Sequence, residues 1–92
     1  MIQIVFMRGG EMRKVFIDKK KVTFYSAELK FVPLIIDLNK MKEIEDKREK
    51  YNLSVEDLKL LYELKELNNE EAMFKDLAKD FKQQGWKMVL KK

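Results

Sequence analysis

The chain has 92 residues, 46% of them hydrophobic and 39% charged, with a net charge of +4. At that length two separate cores are implausible, so residues 1–92 are expected to form a single domain. The absence of Cys and His excludes disulfides, thiolate metal sites and thiol nucleophiles, and removes the commonest general base and metal ligand.

The first 26 residues read as three strands: IQIVFMR, EMRKVFI and VTFYS. Gly9-Gly10 between the first two suits a tight hairpin turn that needs positive φ. That turn sets a register in which Arg8 faces Glu11, Met7 faces Met12, Phe6 faces Arg13, Val5 faces Lys14, Ile4 faces Val15 and Ile2 faces Ile17. A second turn at Lys19-Lys20 pairs Asp18 with Lys21, Ile17 with Val22, Val15 with Phe24 and Lys14 with Tyr25. Alternation then sorts the side chains. Ile2, Ile4, Phe6, Val15, Ile17, Val22 and Phe24 make an apolar face, the expected core side. Gln3, Val5, Met7, Met12, Lys14, Phe16, Lys21, Thr23 and Tyr25 make a mixed face, as in a sheet with one half-solvated side.

Residues 29–38, LKFVPLIIDL, suit a strand ending near Ile36, with Pro33 placing it at an edge. Pro33 also suits the first turn of a helix. In the strand reading Asp37 is the N-cap of the next helix. Leu38 to Tyr51 is helical in composition. It carries one narrow apolar stripe (Leu38, Met41, Ile44, Tyr51) and the i,i+4 pairs Glu43–Lys47 and Asp46–Lys50. Ser54 with Asp57 forms a capping box for a helix from Val55 to Leu67, whose many leucines make it central. Asn69 caps a helix from Glu70 to Gln84 with an apolar face of Met73, Phe74, Leu77, Ala78 and Phe81. Gly85 is the left-handed residue that ends it, and Trp86 sits where a Schellman motif makes its hydrophobic contact. WKMVL, from Trp86 to Leu90, alternates like a final strand. The expected fold class is therefore α+β: an N-terminal three- to four-stranded antiparallel meander, three helices and a short C-terminal strand.

Charge is unevenly placed. Residues 1–30 carry seven Lys/Arg and three Asp/Glu, residues 31–74 seven and eleven, and residues 75–92 six and two. The ends are basic and the middle acidic, a layout that steers partners or suits subunit-to-subunit complementarity. The mixed Lys and Glu content resembles heat-adapted compositions. No run approaches the roughly 18–20 apolar residues of a membrane span, and Arg8 and Glu11 interrupt the opening apolar run too early for a signal peptide. A soluble cytoplasmic protein, with no membrane, metal or cofactor, is expected.

Two surfaces could bind something. Val5, Met7, Met12, Phe16 and Tyr25 would form a compact apolar patch if no helix covers them. Met and aromatic residues favour protein interfaces, so this patch predicts a protein partner or a homodimer. The other candidate is a basic hairpin surface of Arg8, Arg13, Lys14, Lys19, Lys20, Lys21 and Tyr25, where cations neutralise phosphates and the aromatic stacks on a base. Its plain alternative is a solvated sheet whose lysines discourage edge-to-edge association. The first hairpin resembles the opening of small archaeal chromatin proteins with SH3-like barrels, but the Gly-rich later strands of that family are absent, so its function is not carried over. Catalytic readings are weak. Glu28-Leu29-Lys30 and Glu63-Leu64-Lys65 match the E-x-K element of metal-dependent nucleases, yet the order of Asp37 on one strand and E-x-K on the next is not met. The sequence thus favours a non-catalytic accessory or regulatory protein that acts by protein–protein contact, with nucleic-acid binding through the basic hairpin as the alternative.

Overall fold

A computed structural model of the chain describes residues 1–26 and 32–92. Five strands, β1 (Ile2–Arg8), β2 (Glu11–Asp18), β3 (Lys21–Ser26), β4 (Leu34–Asp37) and β5 (Lys87–Lys91), form one antiparallel sheet in the order β4-β3-β2-β1-β5. Three helices, α1 (Met41–Asp46), α2 (Val55–Lys65) and α3 (Glu70–Gln83), pack against one of its faces. The class is α+β. The sheet's strand order is linear, unlike the closed barrel of the chromatin proteins that the first hairpin resembles.

Both hairpin registers are those expected from the turns. Met7 faces Met12, Ile4 faces Val15, Val15 faces Phe24 and Asp18 faces Lys21. Gly9 has φ +59°, the conformation a tight hairpin turn demands. Lys19 holds the equivalent place in the second turn at φ +56°, a strained choice for a residue with a Cβ. Its N–H donates to Glu70 Oε2 at 2.7 Å, so the first turn of α3 pins the strained turn.

The register decides the core. Ile4, Val15, Ile17, Val22 and Ile36 share one face and are fully buried. They meet Leu61, Leu64, Met73, Leu77 and Phe81 from the helices in one continuous cluster. Phe6 and Phe81 pack with tilted rings, 4.7 Å between centroids. Burying an aliphatic side chain of this size contributes about 1.5–3 kcal/mol.

Of the segment 29–38, residues 29–31 lie outside the described residues, as does the whole of Glu28-Leu29-Lys30. The rest follows the strand reading. β4 is an edge strand, Pro33 immediately precedes it, and Asp37 Oδ1 accepts the Asn39 N–H at 3.0 Å. The helix expected from Leu38 to Tyr51 is shorter than its composition suggests. A 3₁₀ turn (Leu38–Lys40) leads into α1, and turns follow from Lys47 to Asn52. Leu38, Met41 and Ile44 are buried, but the positions three and four beyond Ile44 are Lys47 and Arg48. With no apolar side chain there, nothing rewards another helical turn. The Glu43–Lys47 pair forms, at 3.2 Å. Asn52 then reverses the chain at φ +55°.

α2 opens on the full capping box. Ser54 Oγ accepts from Asp57 N–H at 3.0 Å, and Asp57 Oδ2 accepts from Ser54 N–H at 2.9 Å. It stops at Lys65, two residues before the expected Leu67. The Lys20 ammonium occupies that end, donating to the carbonyls of Lys65 and Leu67 at 2.6 and 2.5 Å. Asn69 caps α3 by accepting the Ala72 N–H at 2.8 Å.

α3 ends in a Schellman motif. Gly85 has φ +90°, its N–H donates to Lys82 O at 3.0 Å, and the Trp86 N–H donates to Phe81 O at 2.9 Å. Trp86 is buried beside Phe81, with centroids 6.1 Å apart. It thus belongs to the core, and the final strand starts one residue later than the alternation implies. β5 pairs with β1, with Val5 opposite Leu90 and Phe6 opposite Met88, so Val89 is the extra residue of a bulge.

Gly85→Ala tests the cap. A Cβ there has room, its nearest neighbour being Arg8 Cδ at 3.7 Å, so the cost is backbone strain alone. Destabilisation of about 1–2 kcal/mol is expected in urea unfolding, and an unchanged midpoint would show that the left-handed residue is dispensable.

Candidate interaction surface

The second face of the sheet carries no member of the core cluster. Cross-strand pairing arranges its side chains in rows. One row runs Leu90, Val5, Lys14, Tyr25. The next runs Gln3, Phe16, Thr23, Ile35. Beyond it lie Asp18, Lys21 and Asp37, and at the opposite end Met7, Met12 and Lys87.

The five apolar residues expected to make a patch, Val5, Met7, Met12, Phe16 and Tyr25, are therefore together on this face. Val5, on the interior strand β1, is only 9% exposed. Met7, Phe16 and Tyr25 are half-buried and Met12 is at the exposed margin. Phe16 and Tyr25 contact edge to face at 5.5 Å, a favoured aromatic geometry. Two exposed residues that the hairpins alone could not supply extend the patch: Ile35 from β4 and Leu90 from β5. Strand neighbours rather than a described helix provide the shielding.

Lys14 stands in the middle of this surface, with Val5 and Tyr25 across the strands and Met12 and Phe16 two places along β2. It is half-buried, and among the described residues no carboxylate lies in ion-pair reach of it.

The seven basic-surface candidates do not form one surface. Arg8 and Arg13 lie on the helix side, their guanidinium carbons 4.4 and 4.7 Å from the Trp86 ring centroid. Arg8 also donates to Gln84 O at 3.0 Å, serving the last turn of α3. Lys20 is spent on the end of α2. Lys14 and Lys21 remain on the open face with Tyr25, and Lys19 sits at the turn beside them. The sequence conceals the arginine–tryptophan stack because its partners are more than seventy residues apart. The one advance sign is parity: Arg8 and Arg13 stand two residues from Phe6 and Val15 and so share the core side with them.

Elsewhere, α2 and α3 flank a groove of about 400 Å³ lined by Glu56, Glu63, Asp76 and Asp80 with Lys59 and Lys79. Glu63, the acid of the second E-x-K element, is thus on a helix, and Asp37 serves as a cap. Asp80 is held above the usual carboxylate range, first by burial, with the charges of Asp57 and Asp76 adding; a 2.6 Å hydrogen bond from Gln84 Nε2 acts the other way. Among the described residues no group of three or more carboxylates is arranged to hold a metal ion, and no helix is long and apolar enough to cross a membrane.

Compared with known proteins, the chain matches no family model, no curated protein and no solved structure.

Two outcomes are expected from these placements. Lys20→Met removes two hydrogen bonds from the end of α2, and should lower unfolding stability by about 1 kcal/mol; no loss would mean that water replaces them freely. Asp80 has a raised pKa in the folded state, so its proton is held more tightly there than in the unfolded chain. Its contribution to stability is highest below the ordinary value and is lost as pH rises through the folded value. Asp80→Asn keeps an acceptor for Gln84 and should flatten that fall, leaving the variant more stable than wild type at neutral pH but not in acid. Parallel denaturation series of the two proteins would reveal a constant offset if the assignment were wrong.

Proposed function

We propose that this chain is a non-catalytic cytoplasmic accessory or regulatory protein that works by docking a protein surface onto the open face of its sheet, through Val5, Met7, Met12, Phe16 and Tyr25. The observation that supports this reading is one-sided burial. Each described helix buries apolar side chains on the opposite face, while this face carries Leu90, Val5 and Tyr25 in one row around Lys14, beside Phe16 and Ile35 in the next. Apolar side chains gathered on a face that no described helix covers mark interaction sites, and Met, Phe and Tyr are the types enriched in them.

The competing reading, nucleic-acid binding, draws its support from Lys14, Lys21 and Tyr25 sharing the same face. Against it stands the diversion of Arg8, Arg13 and Lys20 to roles within the fold. The protein reading is therefore preferred.

Phe16→Ser should leave the circular dichroism spectrum intact and abolish self-association or capture of a purified partner. The wild-type protein should give no gel shift with single- or double-stranded nucleic acid at low salt. A shift that weakens steeply with salt and disappears when Lys14 and Lys21 are changed to Glu would replace the protein reading with the nucleic-acid one. Unchanged association in Phe16→Ser would remove the open face from consideration.

A further inference from the structure

The rows of the open face are self-complementary about their centre. Take the row Gln3, Phe16, Thr23, Ile35 as a line across the strands. On one side, two residues along β2, stands Lys14 in a row whose only charge is positive. On the other side, the same two residues away, stands Asp18 in a row with Lys21 and Asp37, whose net charge is negative. Each row is about 6.8 Å from the central line. A two-fold axis along that line exchanges the positive row with the negative one and returns the uncharged central row to itself.

We infer that the surface docked on the open face is a second copy of this chain, stacked face to face with its β2 antiparallel, so that Phe16 packs on Phe16 and each Lys14 meets Asp18 of the other copy. This rests on the open face being the binding surface. The stacking gives the half-buried Lys14 the carboxylate it lacks within its own described chain. It also sets Tyr25 against Lys21, a cation on an aromatic ring. Stacked sheets run about 30° from parallel, so the central rows register best. Met7, Met12 and Lys87 fall at the rim. Joining copies through the β5 edge is disfavoured. Antiparallel pairing of β5 with itself would oppose Lys87 to Lys91, and like charges directly opposite are destabilising. The Val89 bulge adds a local twist against it.

The contact is isologous, so one charge swap tests it on a single chain. Light scattering across a concentration series should show a dimer for the wild type and monomers for Lys14→Glu and for Asp18→Lys. The double variant Lys14→Glu/Asp18→Lys should recover the dimer, because both pairs re-form with exchanged signs. Phe16→Ser should weaken the dimer more than Met7→Asp. The chain has no cysteine, so Thr23→Cys supplies a unique thiol near the axis. A short bis-maleimide should link two such copies across sheets about 10 Å apart, and adding Lys14→Glu should suppress the product. This second measurement covers the case in which Asp18→Lys fails to fold. A monomeric wild type overturns the second copy but leaves the open face available to another protein. A dimer that ignores both single charge variants, or is not recovered in a folded double variant, overturns the stated register. A dimer that also survives Phe16→Ser overturns the open-face reading itself.

Discussion

The pairing of β1 with β2 is the constraint on which the rest depends. Side chains alternate along a strand, so a slip of one residue would move Ile4, Phe6, Val15 and Ile17 from the helix side to solvent. Gly9 in its left-handed conformation prevents that slip by fixing the turn. Once the hairpin is in register, β3 continues the same apolar face through Val22. The helices have only one surface on which to bury Leu61, Leu64, Leu77 and Phe81. The same choice leaves Lys14, Phe16 and Tyr25 on the other side.

Much of this arrangement was legible because it is local. Turn chemistry and period-two alternation gave both hairpin registers residue by residue. The capping box at Ser54, the Asn69 cap and the Gly85-Trp86 ending were legible for the same reason: each depends on residues within one helical turn. Even the apolar patch followed from parity. Non-local features were hidden. Nothing in KMVLK states that it pairs with the first strand, so Leu90 beside Val5 could not be foreseen. α1 and α2 are shorter than their composition implies. Composition alone favours helix up to Tyr51 and Leu67, but α1 lacks apolar support beyond Ile44 and the end of α2 is met by a lysine from a distant turn.

That lysine illustrates how charge is used here. Counted along the sequence, the hairpin region is a basic cluster. In the fold, its cations divide according to where they meet carbonyl dipoles, rings or water. Lys20 and Arg8 each serve a helix end, where a cation is favoured by the partial negative charge of unpaired carbonyls. Arg13 and Arg8 stack on Trp86, whose buried indole N–H has no hydrogen-bond partner among the described residues. Leaving such a group unpaired costs about 1–3 kcal/mol, and two adjacent cations over the ring offset part of that cost. The sequence tally of basic residues therefore overstates the positive surface offered to a partner.

The adjacency of β5 to β1 governs the order in which the structure can assemble. Adjacent strands joined by tight turns close quickly, whereas contacts distant in sequence form late and slowly. The meander can zip as soon as it is synthesised, but the outer side of β1 has no strand to pair with until residues 87–91 are made. Until then its N–H and C=O groups beyond β2 face water beside an unfinished core. The step that completes the sheet is also the step that brings the two ends of this sequence together: Gln3 and Lys92 exchange backbone hydrogen bonds at 2.8 and 3.0 Å. A nascent chain lacking β5 therefore presents an incomplete sheet rather than a smaller version of the native one.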